Sequence, residues 1–405
     1  MNSKMTALLL ALISAVAFIV VPAGQTVDSG IQTVTDSTEY TVSADNAEGT
    51  PTAENSDSNI STQAPAETTT AVQTTKPEGV AEETTAPVDE DLVNHTGATA
   101  EKTDAPMGTA VQQHGQLSVK GANIVDMHGE NFQLKGMSTL GVAIYPEYIS
   151  KECFAKFRDY GVNCIRLAMY TQGENNSYIG NEYQNKELVD KGVQYCTELG
   201  MYVIIDWHIL SDGNPHQYKS QSMEFFDEMS AKYKDYPNVL YEICNEPNGC
   251  SWNDVKSYAD AVIPVIRKND PDSIVIVGTP TYSQDIHEAA KNPLTQENVV
   301  YAMHFYAASH QFLKDRMSEY YNKGMPILIS EFGTCDYTGN GGNNLQETRA
   351  WLELCDKYDI GYINWNMSHR NESSACFYQG TSPEHWNESN LREGAKFVLD
   401  WIKNH

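Results

Sequence analysis

Eight short apolar, β-branched runs recur along the chain, at residues 132–138, 163–170, 202–209, 239–246, 274–279, 299–306, 327–331 and 362–366. Helix-like stretches lie between them, at 187–199, 221–233, 255–268, 311–323 and 345–358. Several of these close in Gly or Asp-Pro just before the next run, as at Leu199-Gly200 and Asp270-Pro271. Strands alternating with helices imply a parallel sheet covered by helices. Eight such units over about 270 residues fit a closed (β/α)8 TIM barrel. A doubly wound open sheet is the competing α/β architecture, but no Gly-rich phosphate loop follows the first run. Upstream, Gln116 to Asp126 and Asn131 to Lys135 read as a short N-terminal β-hairpin with Met127-His128-Gly129-Glu130 as its turn.

The start of the chain has another character. Lys4, an apolar run from Ala7 to Val21 and then Pro22-Ala23 read as a signal peptide over residues 1–23. The run is shorter than the ~20 residues that span a bilayer. The expectation is therefore a secreted, extracellular protein with no membrane insertion after cleavage. Residues 24–113 are rich in Thr, Ser, Ala, Glu and Pro, with Tyr40 as their only aromatic residue. Such a segment cannot bury enough apolar surface to offset chain entropy, so it reads as a disordered linker or cell-surface stalk. A catalytic domain is expected over 114–405. The net charge of -27 counts against a nucleic-acid partner, and sixteen acids against two lysines lie between Asp28 and Asp104. All eight cysteines follow residue 150 and none forms a CxxC pair; their pairing stays open.

Two glutamates end apolar runs and are followed at once by chain breakers. They are Glu246, in Tyr241-Glu242-Ile243-Cys244-Asn245-Glu246-Pro247, and Glu331, in Ile327-Leu328-Ile329-Ser330-Glu331-Phe332-Gly333. In a parallel barrel the strand C-termini form the active-site rim. Those ends also carry Arg166, His208, Asn245, Tyr282, His304, Tyr306 and Trp365. Strand period puts Arg166, Ala168 and Tyr170 on one face. A carboxyl pair at an open mouth suits glycoside hydrolysis: one acid protonates the leaving oxygen and one carboxylate attacks the anomeric carbon. Arg166 and Tyr306 can hold Glu331 ionised, and Asn245 can bond a sugar 2-hydroxyl. Trp365 and Tyr282 offer flat faces to pyranose rings. Taken singly, each has a plainer reading, with Glu246 as a helix N-terminal acid and the histidines as structural. Glu242, deeper on the same strand, is expected to be a satisfied polar group inside the barrel. No HxH or HExxH spacing supports a metal site.

Together these motifs carry a resemblance. Tyr202-Val-Ile-Ile-Asp206-Trp-His208-Ile-Leu-Ser-Asp212 and Tyr236-Pro-Asn-Val-Leu-Tyr-Glu-Ile-Cys-Asn-Glu-Pro-Asn-Gly249 resemble glycoside hydrolase family 5, as do His304-Phe-Tyr306, Glu331-Phe-Gly-Thr334 and Asn371-Glu-Ser-Ser374. Its bacterial endo-β-1,4-glucanases are the nearest match. The resemblance runs from Gly115 to the C-terminus. It implies a TIM barrel, a β-glucan substrate and a retaining double displacement without a cofactor. It makes Glu246 the acid/base, Glu331 the nucleophile, and Arg166, His208, Asn245, His304, Tyr306 and Trp365 their supporting set. Tyr282 stands where relatives often have tryptophan beside the leaving-group sugar, Arg370 where many have lysine, and Glu372 at a substrate-binding glutamate. Leu140, Ile144 and Phe332 depart from the pattern, replacing a histidine and two tryptophans. Mixed-linkage glucanase, xyloglucanase and β-mannanase activities, or a non-catalytic glycan-binding protein, are the alternatives. A monomer is expected.

Overall fold

The structure, a computed structural model, describes residues 105–405. The expected signal peptide and the expected linker up to residue 104 lie outside the described residues. The described residues extend to both sides of the expected boundary at 114. α1 (Ala110–His114) buries Val111, whose N–H donates to Gly200 O at 3.2 Å.

The N-terminal hairpin pairs β1 (Ser118–Lys120) with β2 (Asn123–Val125). Its reversal falls at Gly121, φ 65°, rather than at residues 127–130. The expected turn is a second reversal. Asp126 N–H donates to Glu130 O, its carboxylate accepts from the N–H of His128 and Glu130, and Val125 bridges Asn131. The apolar alternation of 116–126 hid the first turn because Gly121 interrupts it by only one position.

Eight parallel strands close the barrel in the order β10-β3-β4-β5-β6-β7-β8-β9. They are β3 (Lys135–Thr139), β4 (Cys164–Tyr170), β5 (Tyr202–His208), β6 (Val239–Glu242), β7 (Val275–Val277), β8 (Val299–Tyr306), β9 (Ile327–Gly333) and β10 (Tyr362–Met367). The TIM-barrel expectation holds. Alternation sorts each strand into two faces. Cys164, Tyr202, Ile204, Leu240, Ile276, Val300, Leu328 and Ile363 fill the barrel interior as one apolar cluster. Ile165, Leu167, Val203, Ile205, Trp207 and Tyr241 face outward into a second cluster under the helices. Each such fully buried side chain contributes roughly 1.5–3 kcal/mol.

The helices follow α1 as α2 (Lys151–Asp159), α3 (Glu182–Leu199), α4 (Lys219–Tyr233), α5 (Trp252–Asn269), the short α6 (Pro280–Ser283) and α7 (Ile286–Lys291), α8 (Leu313–Asn322), α9 (Leu345–Tyr358) and α10 (Glu393–Asn404). α5 buries Val255, Tyr258, Ala259, Val262, Ile263 and Ile266, an apolar stripe at helical spacing. A reciprocal Ser251–Asp254 capping box starts it. No helix among the described residues is long and apolar enough to cross a membrane. All eight thiols are unpaired.

β9 breaks the alternation beside the mouth. β9 faces β8 with Ala302 opposite Leu328 but His304 opposite Glu331, so β9 carries one extra residue. Leu328 points into the barrel and Ile329 out to the helices. Ser330 then turns inward, and Glu331 is delivered to the mouth. A β-bulge of this kind re-aims side chains beside a site.

Candidate active site

A cavity of about 640 Å³ opens at the C-terminal mouth of the barrel. Glu246, Glu331, His208, His304, Tyr306, Trp365, Tyr170, Tyr282, Arg370 and Glu372 all line it. Of the residues expected at the site, Arg166 and Asn245 lie beneath its floor, 0% and 1% exposed. A larger cavity, about 860 Å³, lies at the opposite barrel end around Val299, Lys323 and Pro326. Its lining carries a single acid, Glu297, and no carboxyl pair.

Glu246 sits just past the ladder of β6, which ends at Glu242 rather than at residue 246. The segment continues on single bonds: Ile243 N–H to Ile276 O at 3.0 Å, and Asn245 N–H to Trp207 O at 3.2 Å. Gly278 makes this close approach possible, since a Cβ there would stand 2.2 Å from Cys244 O. Beyond it the chain enters a left-handed turn, with φ of 58°, 57° and 55° at Thr281, Tyr282 and Ser283. Non-glycine residues rarely hold this conformation. Bonds from Tyr282 N–H to Pro247 O (3.1 Å) and from Ser283 Oγ–H to Asn245 O (2.6 Å) hold it against the Glu246 segment.

Both oxygens of Glu331 are engaged. The Tyr306 hydroxyl donates to Oε1 at 2.9 Å and Arg166 Nη1 donates to Oε2 at 3.2 Å. Among the described residues Glu246 has one direct side-chain partner, His304 Nδ1, 2.9 Å from its Oε1. Glu246, His304 and Glu331 each present one atom such that all three atoms lie within 4.8 Å of one another. That spacing would suit a metal ion. However, both ring nitrogens of His304 are already taken, Nδ1 by Glu246 and Nε2 by Ser330 Oγ at 2.9 Å.

Beneath the pair, Arg166 gathers three acids. It reaches Glu242 Oε2 at 2.7 Å, Asp206 Oδ2 at 2.9 Å and Glu331 Oε2 at 3.2 Å, and donates to Asn245 Oδ1 at 2.6 Å. One guanidinium cannot neutralise the buried carboxyls of Asp206, Glu242, Glu246 and Glu331 together. Burial therefore pushes Glu246 up to about 8 and Asp206 up to about 7, Arg166 opposing both. Glu331 is raised too, first by burial and then by Glu246, with His304 and Arg166 opposing. Of the two acids at the mouth, Glu331 has a direct cation and a hydroxyl donor and Glu246 has neither, so Glu331 ionises ahead of Glu246. Burial lowers His208 to about 3 and His304 to about 4, which leaves both neutral. His208 is fixed by Asp206 on Nδ1 at 2.7 Å and lies parallel to Trp365, ring centres 5.2 Å apart.

Comparison with known proteins decides the family. The model for cellulase, glycosyl hydrolase family 5, matches residues 125–371. The chain belongs to glycosyl hydrolase family 5. Endoglucanase N of Pectobacterium atrosepticum is 44% identical over 301 residues, covering 73% of this chain and 67% of that protein. An endoglucanase of Clostridium saccharobutylicum is 46% identical over 289 residues, 70% of this chain and 64% of that one. The chain thus spans about two thirds of the length of these relatives. The catalytic domain of Thermobifida fusca endoglucanase Cel5A, solved with cellotetraose, superposes with a TM-score of 0.70 at 38% identity, over 73% of this chain and 99% of that one.

Some details of this family 5 site differ from what the sequence leads one to expect. Asn245 does not line the cavity. Arg166 takes its Oδ1, while its Nδ2 serves His208 Nε2 at 3.3 Å and Ile209 O at 3.0 Å. Its bonds hold Arg166 and His208 in place rather than leaving an amide free for a sugar. Phe332 faces away from the cleft, fully buried and stacked on Phe305 at 5.2 Å, so it holds no sugar subsite. Ile144 packs against the Leu140, Ala168, Tyr170 and Trp365 cluster. Arg370 pairs with Glu372 at 3.4 Å, and Glu372 accepts from Asn366 Nδ2 and Ser374 Oγ.

Other residues of the site escaped the sequence reading. Asp206 was recoverable, since it lies two positions before His208 on one strand face. Ser330 was not, because a mouth-facing Glu331 implies the opposite face for its neighbour until the bulge that puts both inside is known. Tyr337, 71% exposed in the loop after β9, lines the cavity from a segment without periodicity.

Proposed function

We propose that the protein is a secreted, retaining endo-β-1,4-glucanase that cuts internal bonds of cellulose or a related β-glucan. The spacing of the two acids carries this reading. Oxygens of Glu246 and Glu331 within 4.8 Å suit the roughly 5–5.5 Å carboxyl separation of retaining enzymes, not the ~6.5–9.5 Å of inverting ones. In the first step Glu331 Oε attacks the anomeric carbon as the glycosidic C–O bond breaks, and the Glu246 proton passes to the leaving oxygen. In the second, Glu246 takes a proton from water, whose oxygen displaces Glu331 from the sugar. The names of the two curated relatives, both endoglucanases, support the substrate class. The signal-like first 23 residues support secretion.

Reducing-sugar release from carboxymethylcellulose, barley β-glucan, mannan and xyloglucan tests substrate, with the two glucans expected to dominate. No release from any β-glucan overturns the reading. Proton NMR of fresh product should show the β-anomer first; an α-anomer first would make the enzyme inverting. Glu246→Gln and Glu331→Gln should each lose at least about a hundredfold in kcat.

A further inference from the structure

Behind Glu246 a chain of hydrogen bonds runs to the barrel floor. Ser330 Oγ–H donates to Glu242 Oε1 at 2.7 Å. Its single proton is thereby committed, so Ser330 Oγ faces His304 Nε2, 2.9 Å away, as an acceptor. His304 must then carry a proton on Nε2. Burial together with Arg166 disfavours a second proton on the ring, so Nδ1 is bare. That bare nitrogen stands 2.9 Å from Glu246 Oε1. Two lone pairs at this distance repel unless the carboxyl supplies a proton between them.

We propose that Ser330 and Glu242 are positioning residues that fix the His304 proton on Nε2, turn its bare Nδ1 toward Glu246, and so keep that carboxyl protonated for its role as acid. The inference rests on the acid/base reading of Glu246. Burial raises the Glu242 carboxyl, and Arg166 Nε opposes this with a charge-assisted bond of 2.7 Å, while Ser330 Oγ–H donates to its other oxygen. The bulge in β9 is what lets Ser330 reach both partners while Glu331 keeps its place in the cleft. When Glu246 gives its proton to the leaving oxygen, the new carboxylate faces an unprotonated nitrogen. That contact makes it a stronger base toward water in the second step. No proton moves along the chain itself.

Other charged and titratable groups also act on Glu246. Besides Glu242 at the end of β6, whose charge also raises Glu246 directly, Arg166 and Tyr170 come from β4, Asp206 and His208 from β5, His304 and Tyr306 from β8, and Glu331 from β9. None of them selects the His304 tautomer, because none bonds its Nε2 nitrogen.

Two measurements test the inference. In the wild-type protein, ¹⁵N NMR of the His304 ring should show Nε2 protonated and Nδ1 bare at neutral pH. A proton on Nδ1 would overturn the proposal, and this readout does not depend on any substrate. In Ser330→Ala, His304 is freed to place its proton on Nδ1 and donate to ionised Glu246. The alkaline limb of kcat/KM should then move at least about one unit toward lower pH, and Ser330→Thr should restore it. An active Ser330→Ala enzyme with an unmoved limb would reduce Ser330 to a packing role. A wild-type protein inactive on every glycan would instead count against the proposed function.

Discussion

The Tyr306 hydroxyl donates to Glu331 Oε1 at 2.9 Å, opposite the Arg166 contact on Oε2. Tyr306→Phe leaves the ring and removes this donor. A hydrogen bond to a charged group contributes about 1.5–3 kcal/mol, so kcat should fall roughly ten- to a hundredfold. Removing a donor to a carboxylate also disfavours its ionised form. The acid limb of the pH profile should therefore move to higher pH, readable in kcat/KM from about pH 4 upward.

The wild-type profile should be bell-shaped and displaced upward. Catalysis needs Glu331 ionised and Glu246 protonated. Burial raises Glu331 above its ordinary 4.5, so activity is lost as pH falls through that raised value. Burial pushes Glu246 up to about 8, so activity is lost again as pH rises through about 8. An alkaline limb near the ordinary glutamate range would contradict the buried acid.

Gly278→Ala should injure both fold and chemistry. The added methyl meets Cys244 O at 2.2 Å and Pro247 Cδ at 2.7 Å, on either side of Asn245-Glu246. Overpacking of this kind costs about 1–3 kcal/mol, seen as a drop of a few degrees in melting temperature. Because the displaced segment carries the acid, kcat should fall about ten- to a hundredfold, as misplacement near 1 Å does elsewhere. Unchanged kcat with a lowered melting temperature would show that the segment absorbs the methyl without moving Glu246.

Tyr337→Ala tests whether the exposed ring in the loop after β9 holds a sugar. Ile144 packs into the Leu140–Trp365 cluster and offers no flat platform. Tyr337 lines the same cavity, next to Thr338 and Gly339. A stacking loss near 1 kcal/mol should raise KM for cellotetraose about fivefold, with a smaller change in kcat. An unchanged KM would leave Tyr337 a solvated loop residue.

Most of the barrel was legible because hydrophobic period is local. The eight apolar runs all became strands, and the shared face of Arg166, Ala168 and Tyr170 followed from alternation alone. The ends of β6 and β7 came out shorter than the apolar runs suggested. There the chain leaves the ladder to build the Glu246 segment and the left-handed turn at Tyr282.

The sequence by itself determined the fold class, the two glutamates and the residues that gather at the strand ends. Residue type and spacing along the chain are enough for those. The tertiary structure alone decided that Ser330 faces inward beside Glu331, that Asn245 spends its amide on Arg166 and His208, and that Phe332 looks away from the cleft. Barrel closure sets the register between β8 and β9, and that register creates the bulge. The raised Glu246 carboxyl is likewise collective, arising first from burial and then from Asp206 and Glu242, which lie far from each other in the chain, with Arg166 opposing.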